Sequence, residues 1–380
     1  MATGCGKSKS SDNANAGTTT STTAGQTTTS SAANAGITKA EAELAKFRVA
    51  STGFTAPGPA LTNVASLKGK VVYYVPIALQ VPFFQGVIAG MKDSLAAVGM
   101  TLRVCDGAAN PSAAAKCLDQ AVGEKAGAVV TDSIPVEFAS NAFTSVQNAK
   151  IPVVLGNQPY PDTPGTKAMA YLSYDGPKML ALVADAVISD SKGKANVLIN
   201  EVNDSIATTI AIDKGALPEF QQLCPACKVT VNKFTTANYS TLPSLTATAF
   251  AKEPDINYVI PQFDSTIQGT LPGLQTAGVA SKVKMATSTS TLLGLQMIKD
   301  GKLIADVGFD SYKEGWAYVD QAMRMMLGMD PVQKEDIGLR VFDSSNINDL
   351  KLTPEAANTG EWFGPGAFKT EFKKLWGVGA

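Results

Sequence analysis

No histidine occurs anywhere in the 380 residues. Its absence removes the base of Ser-His-Asp and Cys-His catalysis and every histidine metal site. Charge is sparse and balanced, 32 Lys+Arg against 33 Asp+Glu, and no basic block is present to follow a phosphate backbone. No apolar run reaches the roughly 18 residues that a membrane-spanning helix needs. Neither GxxxxGK[ST] nor GxGxxG follows a strand-like run, and GxSxG is missing. The remaining acid/base candidates are Asp106, Asp132, Glu201, Asp264 and Asp310, each at the end of a strand-like run. Carboxylates so placed more often cap helices or accept hydrogen bonds from a ligand than act as catalytic acids. These absences predict a binding protein and not an enzyme, with no metal, no cofactor and no nucleic-acid partner.

Residues 1–36 are dominated by Ser, Thr, Gly, Ala and Asn and are too poor in apolar bulk to offset their ordering entropy, so a disordered tether is expected. Within it, Thr3-Gly4-Cys5-Gly6 is similar to the end of a bacterial lipoprotein signal peptide, where small residues precede the lipidated cysteine. The implied arrangement is a trimmed signal, a lipid anchor at Cys5 and a tether reaching on the order of 30 Å from the membrane. That places the protein outside the cytoplasm, anchored to the cell membrane. The alternative is an added tail with no anchoring role.

Beyond Cys5 the cysteines are Cys105, Cys117, Cys224 and Cys227. In an exported chain an even number suggests two disulfides, most simply Cys105–Cys117 and Cys224–Cys227 by proximity in sequence. Cys224-Pro-Ala-Cys227 also has the spacing of a redox or metal motif. A second CxxC is absent, however, and the motif ends a helix pattern instead of starting one, where the dipole would lower a thiol pKa.

After a short helix at 37–49 and a connector reaching residue 68, β-rich runs alternate with helix-length amphipathic segments. The first series contains VVYYVPIAL, TLRVCD, GAVVTD and IPVVLGN, and the second ANVLINE, KVTVNKF, YVIPQFD, VKMATS and LIADVGFD. Such alternation implies βαβ units and right-handed crossovers, hence an α/β protein of two doubly wound parallel-sheet lobes. The boundaries are expected at 69–172 plus 310–338 for the first lobe, and 173–309 plus 339–380 for the second with a C-terminal extension.

In open α/β sheets, ligands bind beyond the carboxyl ends of the strands. Aromatic rings and neutral amides gather at those junctions: Phe83 and Phe84 after the first strand, Asn157 and Gln158 after the fourth, then Gln262, Phe263 and Phe309. Apolar walls with a few orienting polar groups are the lining of a binding cleft. Further candidates at such junctions are Gln80, Asp106, Asp132, Asn203, Asp264 and Thr289, with Tyr239 in the loop of FTTANYST. Simpler roles compete: Phe83 and Phe84 as core residues, Tyr239 as a surface residue, Trp316 as packing on an amphipathic helix, and Met323, Met325, Met326 and Met329 as core filler.

The ordered series VPFF, DGAANPSAAAKCLDQAV, GAVVTD, IPVVLGNQ, QFD and MIKDGKLIADVG resembles the type I periplasmic binding protein family, especially the sugar receptors of ABC importers. The resemblance runs from about residue 68 to residue 352. It implies two Rossmann-like lobes joined by a three-segment hinge, closing on a small solute for delivery to a membrane permease as a monomer. It also implies that Phe83 and Phe84 flank the ligand. Where sugar binders carry Asp-Arg, this chain has Asn157-Gln158; Phe263 precedes Asp264 where Asn is usual, Thr289 and Phe309 stand at other polar contacts, and Ile212 at a clamp arginine. Because charged bidentate groups suit hydroxyls, these departures favour a ligand less hydroxylated than a pyranose. A small neutral ligand, a sugar, polyol or related compound, remains the leading class; an aromatic or nucleoside-like compound, or a sensing role instead of transport, is the alternative.

Overall fold

The computed structural model of the protein describes Met1, residues 24–335 and residues 337–379. Val-rich runs buried on both faces form β1 (Val71–Pro76), β3 (Ala128–Asp132) and β4 (Val153–Gly156). With β2 (Thr101–Val104) and β5 (Met169–Leu172) they make a five-stranded parallel sheet ordered β2-β1-β3-β4-β5. The crossover helices α2 (Phe83–Ala97), α3 (Pro111–Gly123) and α4 (Ser140–Asn148) cover it. Asn110 starts α3 by accepting from the amides of Ser112 and Ala113 at 2.8 and 3.2 Å, with Pro111 pre-set for the first turn.

The second lobe repeats the plan. Its strands are β6 (Asn196–Val202), β7 (Lys228–Phe234), β8 (Tyr258–Pro261), β9 (Lys284–Ser288), β10 (Ala305–Phe309) and β11 (Leu339–Asp343). They form a six-stranded sheet ordered β11-β10-β9-β8-β6-β7, parallel except for β11, which runs against β10. Its helices are α5 (Gly176–Asp190), α6 (Ile206–Ala211), α7 (Leu217–Leu223), α8 (Leu242–Lys252), α9 (Asp264–Thr276) and α10 (Leu292–Lys299), and a π-helical turn at Ile212–Ala216 joins α6 to α7. The two α/β lobes have the architecture expected.

The chain passes between the lobes at 173–175, at Asp310 and at 327–338. Asp175 and Asp310 sit on the first two passages and cap the helices that follow, accepting from the amides of Lys178 and Lys313 at 3.0 Å. The helix after β10, α11 (Ser311–Met326), returns to the first lobe and packs along α2.

The two ends of the chain add a strap beside this hinge. Helix α1 spans Ala24–Phe47, so residues 24–36, expected in the tether, are helical, whereas Cys5 lies outside the described residues. Its later turns pack on α5 and α7, and Arg48 Nε bonds Asp343 at 2.7 Å, all in the second lobe. The connector then crosses: Ser51 N meets the Phe363 carbonyl at 3.0 Å, Phe54 lies 5.0 Å from Phe372, and Leu61 N reaches the Leu375 carbonyl at 2.9 Å. After α12 (Pro354–Ala357), the C-terminal extension splits between the lobes instead of staying with the second. Trp362 belongs to the second-lobe core with Phe342, while Phe372 and Trp376, on and just after α13 (Phe368–Leu375), pack against Trp316 of α11. Trp376 Nε1 donates to Asp320 at 2.7 Å, so this aromatic face is buried only by crossing back.

Cys105–Cys117 and Cys224–Cys227 are disulfide-bonded, with Cα separations of 5.7 and 5.3 Å. The first ties the end of β2 to α3, and the second closes the turn after α7. Among the described residues no helix is long and apolar enough to cross a membrane, and no group of His, Cys, Asp and Glu is placed to hold a metal ion.

Candidate functional site

The carboxyl ends of the first-lobe strands converge on a buried polar cluster. Asp132 closes β3 and is fully buried; it accepts from Tyr74 Oη at 2.8 Å, Asn157 Nδ2 at 2.9 Å and Ser133 Oγ at 3.2 Å. Asn157 follows β4 in the left-handed region at φ 53°, which turns its amide back over Asp132. From α11, Glu314 and Tyr318 lie four residues apart on one helix face and enter the same space. A Cβ at Gly156 would lie 2.2 Å from Tyr318 Oη, so glycine there lets the phenol reach the strand ends.

Burial pushes the Asp132 carboxyl up to about 6 against the lowering effect of its hydrogen-bond donors. It raises Glu314 further, with Asp132 adding repulsion. The Tyr318 hydroxyl and the Asn157 side chain lie beside Glu314 without a well-aligned hydrogen bond to either of its oxygens, and Asn157 Oδ1 has no partner.

Rings close the lobe junction. Phe83, at the start of α2, is half-buried and lies 5.1 Å from Phe309 at the end of β10, a contact from one lobe to the other. Phe309 in turn stacks on Tyr174 in the first passage, at 4.0 Å. Phe84 points away and is 3% exposed in the core with Val87 and Met91. The pair thus divides between a cleft-side ring and a core ring.

The other expected residues scatter. Gln80 is exposed on the β1–α2 turn. Asp106 Oδ1 accepts from the amides of Leu79 and Ala108 at 3.0 and 2.8 Å, pinning two loops together. Gln158 is buried, its Nε2 on the Asn157 carbonyl at 3.2 Å.

In the second lobe Asn203 is exposed, and its backbone amide bonds the Phe234 carbonyl at 2.7 Å. Tyr239 donates to the Ser265 carbonyl at 2.7 Å and packs with Val202, Phe234, Leu242 and Phe263, a structural use not signalled by its loop sequence. Asp264 is buried; its Oδ2 takes the Thr291 amide at 2.6 Å, and its carboxyl, raised to about 6 by burial, faces Asp306. It fixes the turn in which Thr289 and Ser290 adopt φ 93° and 51°. Ile212 and Trp316 are fully buried in the core.

Sequence reasoning missed Tyr174, Glu314 and Tyr318. The signal available was a glutamate and a tyrosine four residues apart in α11, on the face opposite Trp316, Val319 and Met323 in a helix buried on both sides. Two cavities lie elsewhere: a crevice of about 40 Å³ between strap and hinge, beside Asp310, Arg340 and Phe368, and a groove of about 570 Å³ at the opposite end of the first lobe, beside Lys70, Lys125 and Met326.

A family model described as a periplasmic binding protein domain matches residues 72–330. No curated protein sequence matches the chain. Solved structures do. An ABC transporter periplasmic solute binding protein from Actinobacillus succinogenes 130z with bound D-allose is 19% identical, with a TM-score of 0.64 over 74% of this chain and 100% of that one. The 5-methylthioribose transporter solute binding protein from Thermotoga lettingae TMO, in complex with 5-methylthioribose, is 17% identical, with a TM-score of 0.67 over 81% and 98%. A glucose-galactose binding protein from Geobacillus stearothermophilus is 18% identical, with a TM-score of 0.65 over 74% and 99%.

Proposed function

Because the chain belongs to the periplasmic binding protein family, we propose that it is the extracytoplasmic receptor of an ABC importer. It captures a small sugar, polyol or related compound between its lobes and delivers it to a permease. The observation that carries this reading is the convergence of Asp132, Asn157, Phe83, Tyr174 and Phe309 where the strand ends of one lobe face the other. Polar groups orient the ligand and the rings cover its apolar faces. Since only differential affinity moves an equilibrium, the ligand stabilises the closed form by touching both lobes.

Two features support a ligand less hydroxylated than a pyranose: among the described residues no arginine interacts with Asp132 or Glu314, and Phe309 occupies the lobe junction. The lipid anchor at Cys5, the monomeric state and the transport role belong to the same proposal. A thermal-shift screen over sugars, polyols, nucleosides and aromatic compounds tests it, because a ligand that binds only the folded state raises Tm. Small-angle scattering with a stabilising compound then shows a smaller radius of gyration. An unchanged radius at saturation rejects closure, and stabilisation by hexoses alone rejects the lean toward fewer hydroxyls.

A further inference from the structure

Resting on the receptor reading above, we infer that the compound taken into the cleft carries a protonated amine, seated where Asp132, Asn157, Glu314 and Tyr318 meet. Glu314 is fully buried, with the Tyr318 hydroxyl and the Asn157 side chain beside it and no well-aligned hydrogen bond to either of its oxygens. Asn157 uses its Nδ2 on Asp132 at 2.9 Å, which leaves its Oδ1 as an unpartnered acceptor beside that carboxyl. The Tyr318 hydroxyl lies beside both Glu314 and Asp132 without a well-aligned hydrogen bond to either, and its one O–H can serve only one of them. Acceptors therefore outnumber donors at this spot, and among the described residues no lysine or arginine forms an ion pair with Asp132 or Glu314.

What this constellation lacks is a positively charged donor. An ammonium brings three N–H groups and no acceptor, so it can meet Glu314, Asn157 Oδ1 and Asp132 together. A sugar hydroxyl brings one donor and adds two lone pairs, which leaves the carboxyls uncompensated. Burial and the neighbouring Asp132 raise the Glu314 carboxyl, and an arriving cation supplies the compensating charge that favours the ionised form of both carboxyls. The rings suit the same group. Tyr174 lies within electrostatic reach of both carboxyls and stacks on Phe309, and aromatic faces attract cations. Amino sugars and amino polyols combine this cationic end with the few hydroxyls that the remaining amides can orient.

The experiment is calorimetric titration of the intact protein with matched pairs: D-glucosamine and D-glucose, D-galactosamine and D-galactose, and 1-amino-1-deoxysorbitol and sorbitol. At least one amino compound is expected to bind about tenfold or more tighter than its hydroxyl partner. Glu314→Gln is expected to weaken the amino compound by a larger factor than its partner. Equal or tighter binding of the hydroxyl member in every pair overturns the inference, as does an amine preference that survives in a folded Glu314→Gln protein. The comparison in the unsubstituted protein decides the matter even if that variant does not fold. No binding by any amino compound also overturns the inference; a neutral sugar or polyol that still binds leaves the receptor reading intact, and failure of both sets removes support from each.

Discussion

Phe83 and Phe84 are consecutive in sequence, yet one helical step of about 100° sends their rings to different places. Phe84→Ala opens a cavity in the first-lobe core and should cost about 3–5 kcal/mol in denaturant unfolding. Phe83→Ala removes a half-buried ring from the lobe junction; it should cost far less stability but weaken ligand binding by about 0.5–1.5 kcal/mol, measured calorimetrically. Equal stability losses would show that both rings are core. The VPFF run marked the position, but nothing in it said which ring faces the cleft, because that depends on how α2 is rotated against the sheet. Asp132 was legible as a polar residue closing an apolar strand. Glu314 was not, since a charged residue in an amphipathic helix is ordinarily assigned to the wet face, and only the packing of α11 on the first sheet buries it.

Strands and crossover helices were legible because each carries its own periodicity, as in GAVVTD and IPVVLGN. β11 was not counted, since a short run such as LRVFD becomes a strand only when the edge of β10 is there to pair with. α13 shows the same limit: its aromatic spacing announces an apolar face without naming the partner. Trp376→Ala strips the ring stacked on Trp316 at 5.4 Å and the donor to Asp320, and should lower unfolding stability by about 3–5 kcal/mol. A loss under 1 kcal/mol would mean that α13 is a passive appendage. The two disulfides were legible from spacing. Loop entropy makes them unequal: replacing Cys105 and Cys117 by serine should cost about 3 kcal/mol, against about 2 for Cys224 and Cys227, read from the shift in urea midpoint. The reverse order would contradict an entropic origin.

Across the whole molecule, buried carboxyls set the pH dependence of stability. Asp132, Asp264 and Asp310 are raised to about 6 and Asp185 to about 8, burial being the largest cause in each. Unfolded aspartates ionise near pH 4, so between about pH 4 and 8 the native state holds protons that the unfolded chain has released. Stability is then full below the unfolded pKa and falls as pH rises, and Tm should be higher at pH 5 than at pH 8. A Tm that is flat or rises over that interval would show these groups ionised in the fold.

The strap has a kinematic consequence. α1 is docked on the second lobe, so a pull applied at Ala24 grips that lobe, and the first, bearing Phe83 and Glu314, becomes the swinging body. Its travel is leashed by two stretches, the connector from Ser51 to Leu61 and the segment from Phe363 to Leu375, which are fastened to each other at both ends of the span. The gap through which a solute enters is therefore no wider than those leashes allow when stretched.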